Sequence, residues 1–244
     1  MEFSARVARE ILRLFPSPGS KKQCLSELFG TYMLVFLGPG SVVAASLLGM
    51  APTDSLVFVA AVFGGTVAGM IRLLGWTSGA NINPAVTLGS TLAGISKSDL
   101  LLPYVLFQVA GALLAGLSLA LVFGSQGSAT SLGSTKLAAG VSPTEGVALE
   151  IVGTFILVVS ALSAGSFLKS SLRQALLVGG TLFVLILFIG PLTGASLNPA
   201  RSLGPSLFSG YFDNQAIYYI GPALGGACAG LIFRRLKRPH GNGS

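Results

Sequence analysis

Read for apolar and polar positions alone, the chain is a series of long apolar runs separated by short polar links. A membrane-crossing helix needs roughly 20 mostly apolar residues. About six runs meet that length, near 25–48, 55–75, 100–123, 146–168, 174–192 and 216–236. Two further apolar segments are too short to cross a bilayer. Each is opened by Gly-Ala-x-x-Asn-Pro-Ala at the end of a long run: Gly79 to Ala85 in the first half, Gly194 to Ala200 in the second. Asn caps free backbone N–H groups, and Pro at a first helical position gives up nothing it needs. The spacing therefore predicts short helices over 83–96 and 198–208. Both follow an irregular glycine-containing approach, and irregular backbone survives at membrane depth only where protein buries it or water wets it. One such start per half predicts a wet path between the halves.

The pattern also repeats. Glu27-Leu28-Phe29-Gly30-Thr31-Tyr32 recurs as Glu150-Ile151-Val152-Gly153-Thr154-Phe155. Tyr104, Gln108, Gly111 and Gly116 recur with a shift of 114 as Tyr218, Pro222, Gly225 and Gly230. Three spans per copy is odd, so the copies face opposite ways. Inverted repeats place the functional site near the midplane, with half-helix N-termini aimed at it. The expected layout is an N-terminal segment 1–24, a first repeat 25–123, a connecting loop 124–145, a second repeat 146–236 and a tail 237–244. The Gly, Ser and Thr-rich link from Gly124 to Pro143 reads as an outer loop, too polar to lie deeper. Gly65-x-x-x-Gly69, Ala112-x-x-x-Gly116 and Gly226-x-x-x-Gly230 are small-residue stripes that let helices approach closely, most simply within one subunit.

Charge sets the orientation. Arg6, Arg9, Arg13, Lys21 and Lys22 precede the first run, and Arg234, Arg235, Lys237 and Arg238 follow the last, which puts both ends in the cytoplasm. With that choice Arg72, Lys97, Lys169 and Arg173 also fall inside, and of 15 Lys and Arg only Lys136 and Arg201 lie elsewhere. Residues 1–24 hold no apolar core followed by a small-residue cleavage site, so no removable signal peptide is expected. Val7, Ile11, Leu14 and Phe15 against Arg6, Arg9 and Arg13 fit a helix on the inner leaflet, or a basic tail without structure. Arg72 either snorkels to the cytoplasm or lines an inner vestibule.

Composition agrees with a membrane protein. The chain has 244 residues, 52% hydrophobic and 9% charged, against about 25% charged in soluble domains. A net charge of +7 would suggest nucleic acid in a soluble protein, but its placement at the membrane ends removes that reading. Cys24 and Cys228 stand alone, and no disulfide or metal framework is readable. No phosphate loop, nucleophile–His pair or ligand cluster points to an enzyme or a cofactor.

Asn83 and Asn198 either only cap their helices or also donate hydrogen bonds into a lumen. In the second reading a passing water accepts from both amides. Its hydrogens then point away along the axis, which breaks the chain a proton would hop along, while both helix N-termini repel cations. Arg201 either snorkels to the outer headgroups or faces a wet cavity. Glu27 and Glu150 are either interfacial carboxylates or acceptors for loop N–H groups that need partners.

Doubled Asn-Pro-Ala (Asn83, Pro84, Ala85; Asn198, Pro199, Ala200), followed directly by Arg201, resembles the aquaporin or major intrinsic protein family from about Leu25 to Leu236. That resemblance implies an all-α membrane protein with six transmembrane helices and two re-entrant half-helices in an inverted repeat. It implies a passive channel for water and small neutral solutes in the bilayer, without cofactor, metal or nucleic acid, as a homotetramer in the plasma or cell membrane. It further implies that Arg201 lines the narrowest point with Phe63, Ile186 and Ala195, and that Glu27 and Glu150 support the two loops. Water-selective members usually carry His where this chain has Ile186, and the only His here is His240. Ile at this place resembles archaeal-type and nodulin-like members. Yet Ser202 stands where glycerol facilitators usually have Asp, and Tyr218-Tyr219 where they have Pro and an aliphatic residue. The expectation is water with leakage of small uncharged solutes; glycerol, ammonia, peroxide and undissociated metalloid acids stay open. A coupled secondary transporter and a poorly conducting junction protein are the other classes.

Overall fold

The computed structural model describes residues 20–237. Six long helices and two short ones follow one another as α1 (Lys21–Leu47), α2 (Pro52–Ser78), α3 (Pro84–Leu92), α4 (Leu101–Phe123), α5 (Pro143–Phe167), α6 (Ser171–Thr193), α7 (Pro199–Ser209) and α8 (Ile217–Lys237). The described residues contain no strand. The order long, long, short, long occurs twice, which is the inverted repeat of an all-α membrane protein. At 1.5 Å per residue, the 27 residues of α1 reach about 40 Å, while the 9 of α3 and 11 of α7 reach about 14 and 17 Å, half a bilayer. Five of the long helices have the length and hydropathy of a membrane span. The sixth, α8, is diluted by Gly221, Gly225, Gly226 and Gly230 and ends on Arg234, Arg235 and Lys237.

Caps rather than hydropathy set the ends. Ser142 and Glu145 form a reciprocal capping box at the start of α5, with Ser142 N–H donating to the Glu145 carboxylate at 2.8 Å and Glu145 N–H to Ser142 Oγ at 3.3 Å. Gly79 and Gly194 close α2 and α6 in the left-handed region, at φ 89° and 78°, and so turn the chain into the two irregular loops. The expected spans therefore begin or end up to a few residues from the observed ones. The first short helix is shorter than the expected 83–96. It stops at Leu92 because Gly94 N–H turns back to Thr91 O, and Ile95 and Ser96 N–H both return to Ser90 O.

Packing exchanges the short helices between the halves. α1 packs on α4, α5 on α8, and α2 crosses α6, but α3 packs on α8 and α7 on α4. The crossings are backbone-close. A side chain at Gly204 would strike the Ala112 carbonyl, one at Gly116 the Gly204 carbonyl, and one at Gly226 or Gly230 the backbone of Ala85 or Gly89. Two of the expected small-residue stripes, Ala112/Gly116 and Gly226/Gly230, are thus seats for the short helices. The third is not an internal contact: Gly65 and Gly69 are exposed on α2 with nothing within 4 Å of an added Cβ. The residue that joins α2 to α6 is its neighbour Gly64, set against Gly179.

The inward apolar cluster, including Leu34, Phe63, Val67, Leu157, Val178, Leu182 and Ile186, surrounds the axis between the halves. Large apolar side chains such as Leu121 and Phe188 face outward, 76% and 74% exposed, as a lipid-covered surface requires. Arg72 is exposed on α2 and borders neither cavity described below, which fits snorkelling. Cys24 is buried, Cys228 is exposed, and neither is bonded. The expected N-terminal amphipathic segment and His240 lie outside the described residues.

Candidate pore and its constriction

Both loops that precede the short helices hold strained backbone. Ala80 and Ile82 in the first, and Ala195 and Leu197 in the second, have φ of 50°, 44°, 43° and 53°, a region unfavourable for side chains with a Cβ. What holds them is a buried carboxylate below each loop. Glu27 is fully buried and accepts from Ser78 Oγ (2.6 Å), Asn81 N–H (3.0 Å), Ile82 N–H (2.6 Å) and Gln108 Nε2 (2.7 Å). Glu150, equally buried, accepts from Thr193 Oγ1 (2.7 Å), Ser196 N–H (2.9 Å) and Leu197 N–H (2.7 Å). An interfacial, water-facing position for either acid is excluded. The carbonyls of Gly79, Ala80 and Asn81, and those of Gly194, Ala195 and Ser196, accept no hydrogen bond from any described group. Gly79 to Ile82 and Ala195 to Leu197 line a cavity of about 190 Å³ between the halves.

Asn83 and Asn198 cap α3 and α7. The Asn83 Oδ1 accepts from Ala85 N–H at 2.8 Å, and the Asn198 Oδ1 from Ala200 and Arg201 N–H at 3.0 and 3.3 Å. Each amide also reaches across the dyad: Asn83 Nδ2 donates to Leu197 O at 2.8 Å, and Asn198 Nδ2 to Ile82 O at 3.0 Å. An amide carries two N–H donors, so one per asparagine ties the loops together and one is left. Both side chains border the 190 Å³ cavity. Pro84 and Pro199 occupy the first helical positions, and Ala85 and Ala200 are buried beneath them.

A second cavity, of about 690 Å³, opens beyond the first and shares Phe63 and Arg201 with it. Ala195 borders the inner cavity, Ile186 the outer one. The four residues expected at a constriction therefore stand together where the two cavities meet. Arg201 is 3% exposed, so it does not snorkel to headgroups. Its guanidinium lies 5.1 Å from the centre of the Phe63 ring, and its Nη1 donates to the Gly133 carbonyl at 2.9 Å.

That carbonyl comes from the connecting loop, and here the sequence reading is corrected. Leu132, Gly133 and Thr135 are buried, not solvated. Ser131, Leu132 and Gly133 are successive left-handed residues at φ 49°, 53° and 73°, and a side chain at Gly133 would strike Pro39 backbone. Thr135 Oγ1 and Ser202 Oγ share a hydrogen bond of 2.9 Å, which fixes the loop to the second short helix. No local signal marked these residues, because their partners Pro39, Arg201 and Ser202 are distant in sequence.

The geometry meets a match over nearly the whole chain: the family model described as major intrinsic protein covers residues 15–233. The chain belongs to the major intrinsic protein family. It is 39% identical to "Probable aquaporin TIP2-2" of Arabidopsis thaliana, over 89% of this chain and 88% of that protein. It is 36% identical to "Aquaporin NIP1-1" of Zea mays, over 89% of this chain and 77% of that one. Among solved structures, the aquaglyceroporin from Plasmodium falciparum superposes with a TM-score of 0.76, at 21% identity, covering 88% of this chain and 94% of the other. That likeness carries the fold. Within this member of the major intrinsic protein family, Gln108 is the site residue that the repeat exposed without explaining: its Nε2 donates to Glu27 and, at 2.8 Å, to Thr87 Oγ1 on α3.

Proposed function

We propose that the chain is a passive channel that conducts water, with leakage of small uncharged solutes, and excludes protons and ions. The observation that carries this reading is the pair of asparagine amides, cross-tied by one N–H each and retaining the other beside a narrow cavity. A water between them accepts from both and cannot pass a donor chain onward. The positive ends of α3 and α7 repel hydronium and metal cations at the same point. Free carbonyls in both loops supply acceptors, and Leu34, Val67, Val178 and Leu182 form the opposite apolar wall. No coupling ion is needed, since both buried acids are committed to loop N–H and hydroxyl donors.

Phe63, Ile186, Ala195 and Arg201 act as the selectivity filter, and Glu27 and Glu150 as the loop supports. A second reading, a glycerol, metalloid or ammonia facilitator with water secondary, is favoured by the filter wall. Ile186 and Ala195 share one apolar cluster with Phe63, so Arg201 is the single polar side chain among the four. In this reading both termini lie in the cytoplasm and the connecting loop outside, with one pore per subunit of a homotetramer in the plasma membrane.

Stopped-flow light scattering on proteoliposomes tests the reading, with water, glycerol and urea in parallel. Fast shrinkage with a low activation energy is expected, and Arg201→Ala should raise leak of larger or charged solutes. Shrinkage no faster than in empty vesicles overturns the channel. Flux that saturates or requires a proton or sodium gradient overturns it in favour of a transporter.

A further inference from the structure

The two cationic side chains that the charge pattern leaves off the inner side, Lys136 and Arg201, line one and the same cavity. That outer vestibule of about 690 Å³ includes no acid among its lining residues. Asp54 is exposed on α2 between two lining residues without lining the cavity itself. Glu145 is held in its capping box, and Asp213 is exposed in the link before α8. Neither cation is ion-paired among the described residues. Lys136 is half-buried, with its ammonium 4.6 Å from the centre of the Tyr211 ring, so it is steered rather than free in solvent. Arg201 is fixed by Gly133 O and Phe63, yet its buried Nε has no partner. Glu150, the acid behind it, already accepts from Thr193, Ser196 and Leu197.

We propose that this vestibule is a binding site for a small monovalent oxyanion, such as nitrate or a short carboxylate, held between Lys136 and Arg201. The guanidinium offers planar N–H donors that match such an oxyanion, and Lys136 brings a second positive charge to the same cavity. Apolar side chains of Leu56, Val59 and Phe63 form part of the same wall and reduce the water that competes for both cations. In the next stretch the apolar side chains of Leu34, Val67, Val178 and Leu182 leave little beyond the remaining N–H donors of Asn83 and Asn198 to replace the hydration an anion would give up, so it stops at the vestibule. It therefore plugs the outer mouth. This last step rests on the channel reading; the binding itself does not.

Two measurements test it. In the first, proteoliposomes are shrunk osmotically with nitrate outside only, inside only, or replaced by a bulky buffer sulfonate at equal ionic strength and osmolality. Nitrate on the Lys136 side should slow water flux saturably, several-fold at most, and nitrate on the opposite side should not. Lys136→Gln should lose most of that sensitivity relative to its own nitrate-free rate, and Lys136→Arg should keep it. Equal slowing from both sides, equal slowing by the sulfonate, or an unchanged response in Lys136→Gln overturns the plug. In the second, intact vesicles are treated with a small amine-acylating reagent and the lysines read by mass spectrometry. Nitrate should protect Lys136 and not Lys97. Absence of protection overturns the site whether or not the vesicles conduct, while protection without any water flux defeats only the channel reading.

Discussion

The two re-entrant loops are built on one plan and braced differently. In each, a fully buried glutamate four residues before a threonine gathers a hydroxyl and two successive backbone N–H groups. The first loop adds Gln108, which joins Glu27 to Thr87 on the short helix. At the matching place the second half has Pro222, which offers no side-chain donor. The second short helix is braced from the other direction. Ser202, in the place of Thr87, bonds to Ser196 Oγ at 2.6 Å and to Thr135 in the connecting loop, and Arg201 bonds to Gly133 in the same loop. One loop is thus tied to the helical scaffold and the other to a surface segment that folds down into the mouth. The side with Arg201 needs that segment, since a buried guanidinium must have acceptors.

The largest effect should come from removing either carboxylate. Glu27→Ala orphans four donors and Glu150→Ala three, and each buried orphan costs about 1–3 kcal/mol. Both variants should lose most folded protein in detergent, Glu27→Ala the more severely, as read by thermal melts followed by size exclusion. Equal losses would mean that Gln108 contributes nothing to the first loop.

Gly133→Ala comes next. It places a Cβ against Pro39 backbone at a φ of 73°, and should destabilise by about 1–3 kcal/mol. Because Arg201 loses its acceptor geometry, glycerol and urea leak should rise with it. Gln108→Leu removes a donor to a buried carboxylate, about 1.5–3 kcal/mol by hydrogen-bond arithmetic. It should lower the melting temperature without widening the filter, so the water-to-glycerol ratio should stay where it was. Together these two variants separate the braces: one moves selectivity, the other only stability.

Ile186→His should suppress glycerol flux more than water, by roughly tenfold or about 1.4 kcal/mol, with little change in stability; equal suppression of both would undo the filter assignment. The smallest effect is expected at Gly65→Ala, within about 0.5 kcal/mol in the isolated subunit, because nothing approaches an added Cβ there. At its neighbour, Gly64→Ala should unfold the α2–α6 crossing. A stability loss at Gly65 as large as at Gly64 would show that the exposed stripe is an assembly contact.

Much of this was legible in the chain itself. Hydropathy found the long helices, Asn-Pro found the starts of α3 and α7, and the recurrence of Glu27 as Glu150 marked two matching acids, whose role as loop supports came from the family resemblance. What escaped has a common cause. The segment Ser131 to Thr135 has the composition of a solvated loop, and its descent depends on contacts with Pro39 and Arg201 far along the chain. The Gly65 stripe and the Gly116 stripe read alike, because spacing of small residues does not say which face meets a neighbour. The overestimated length of α3 has a local reason: Gly94 takes a left-handed turn that hydropathy does not register.

The exchange of the short helices has a consequence for biogenesis. During synthesis, α1 to α4 leave the ribosome well before α8 exists, so the Glu27 loop can close while α3 still has no glycine seat at Gly226 and Gly230. The seat of α3 is therefore completed only when the last helix is in place.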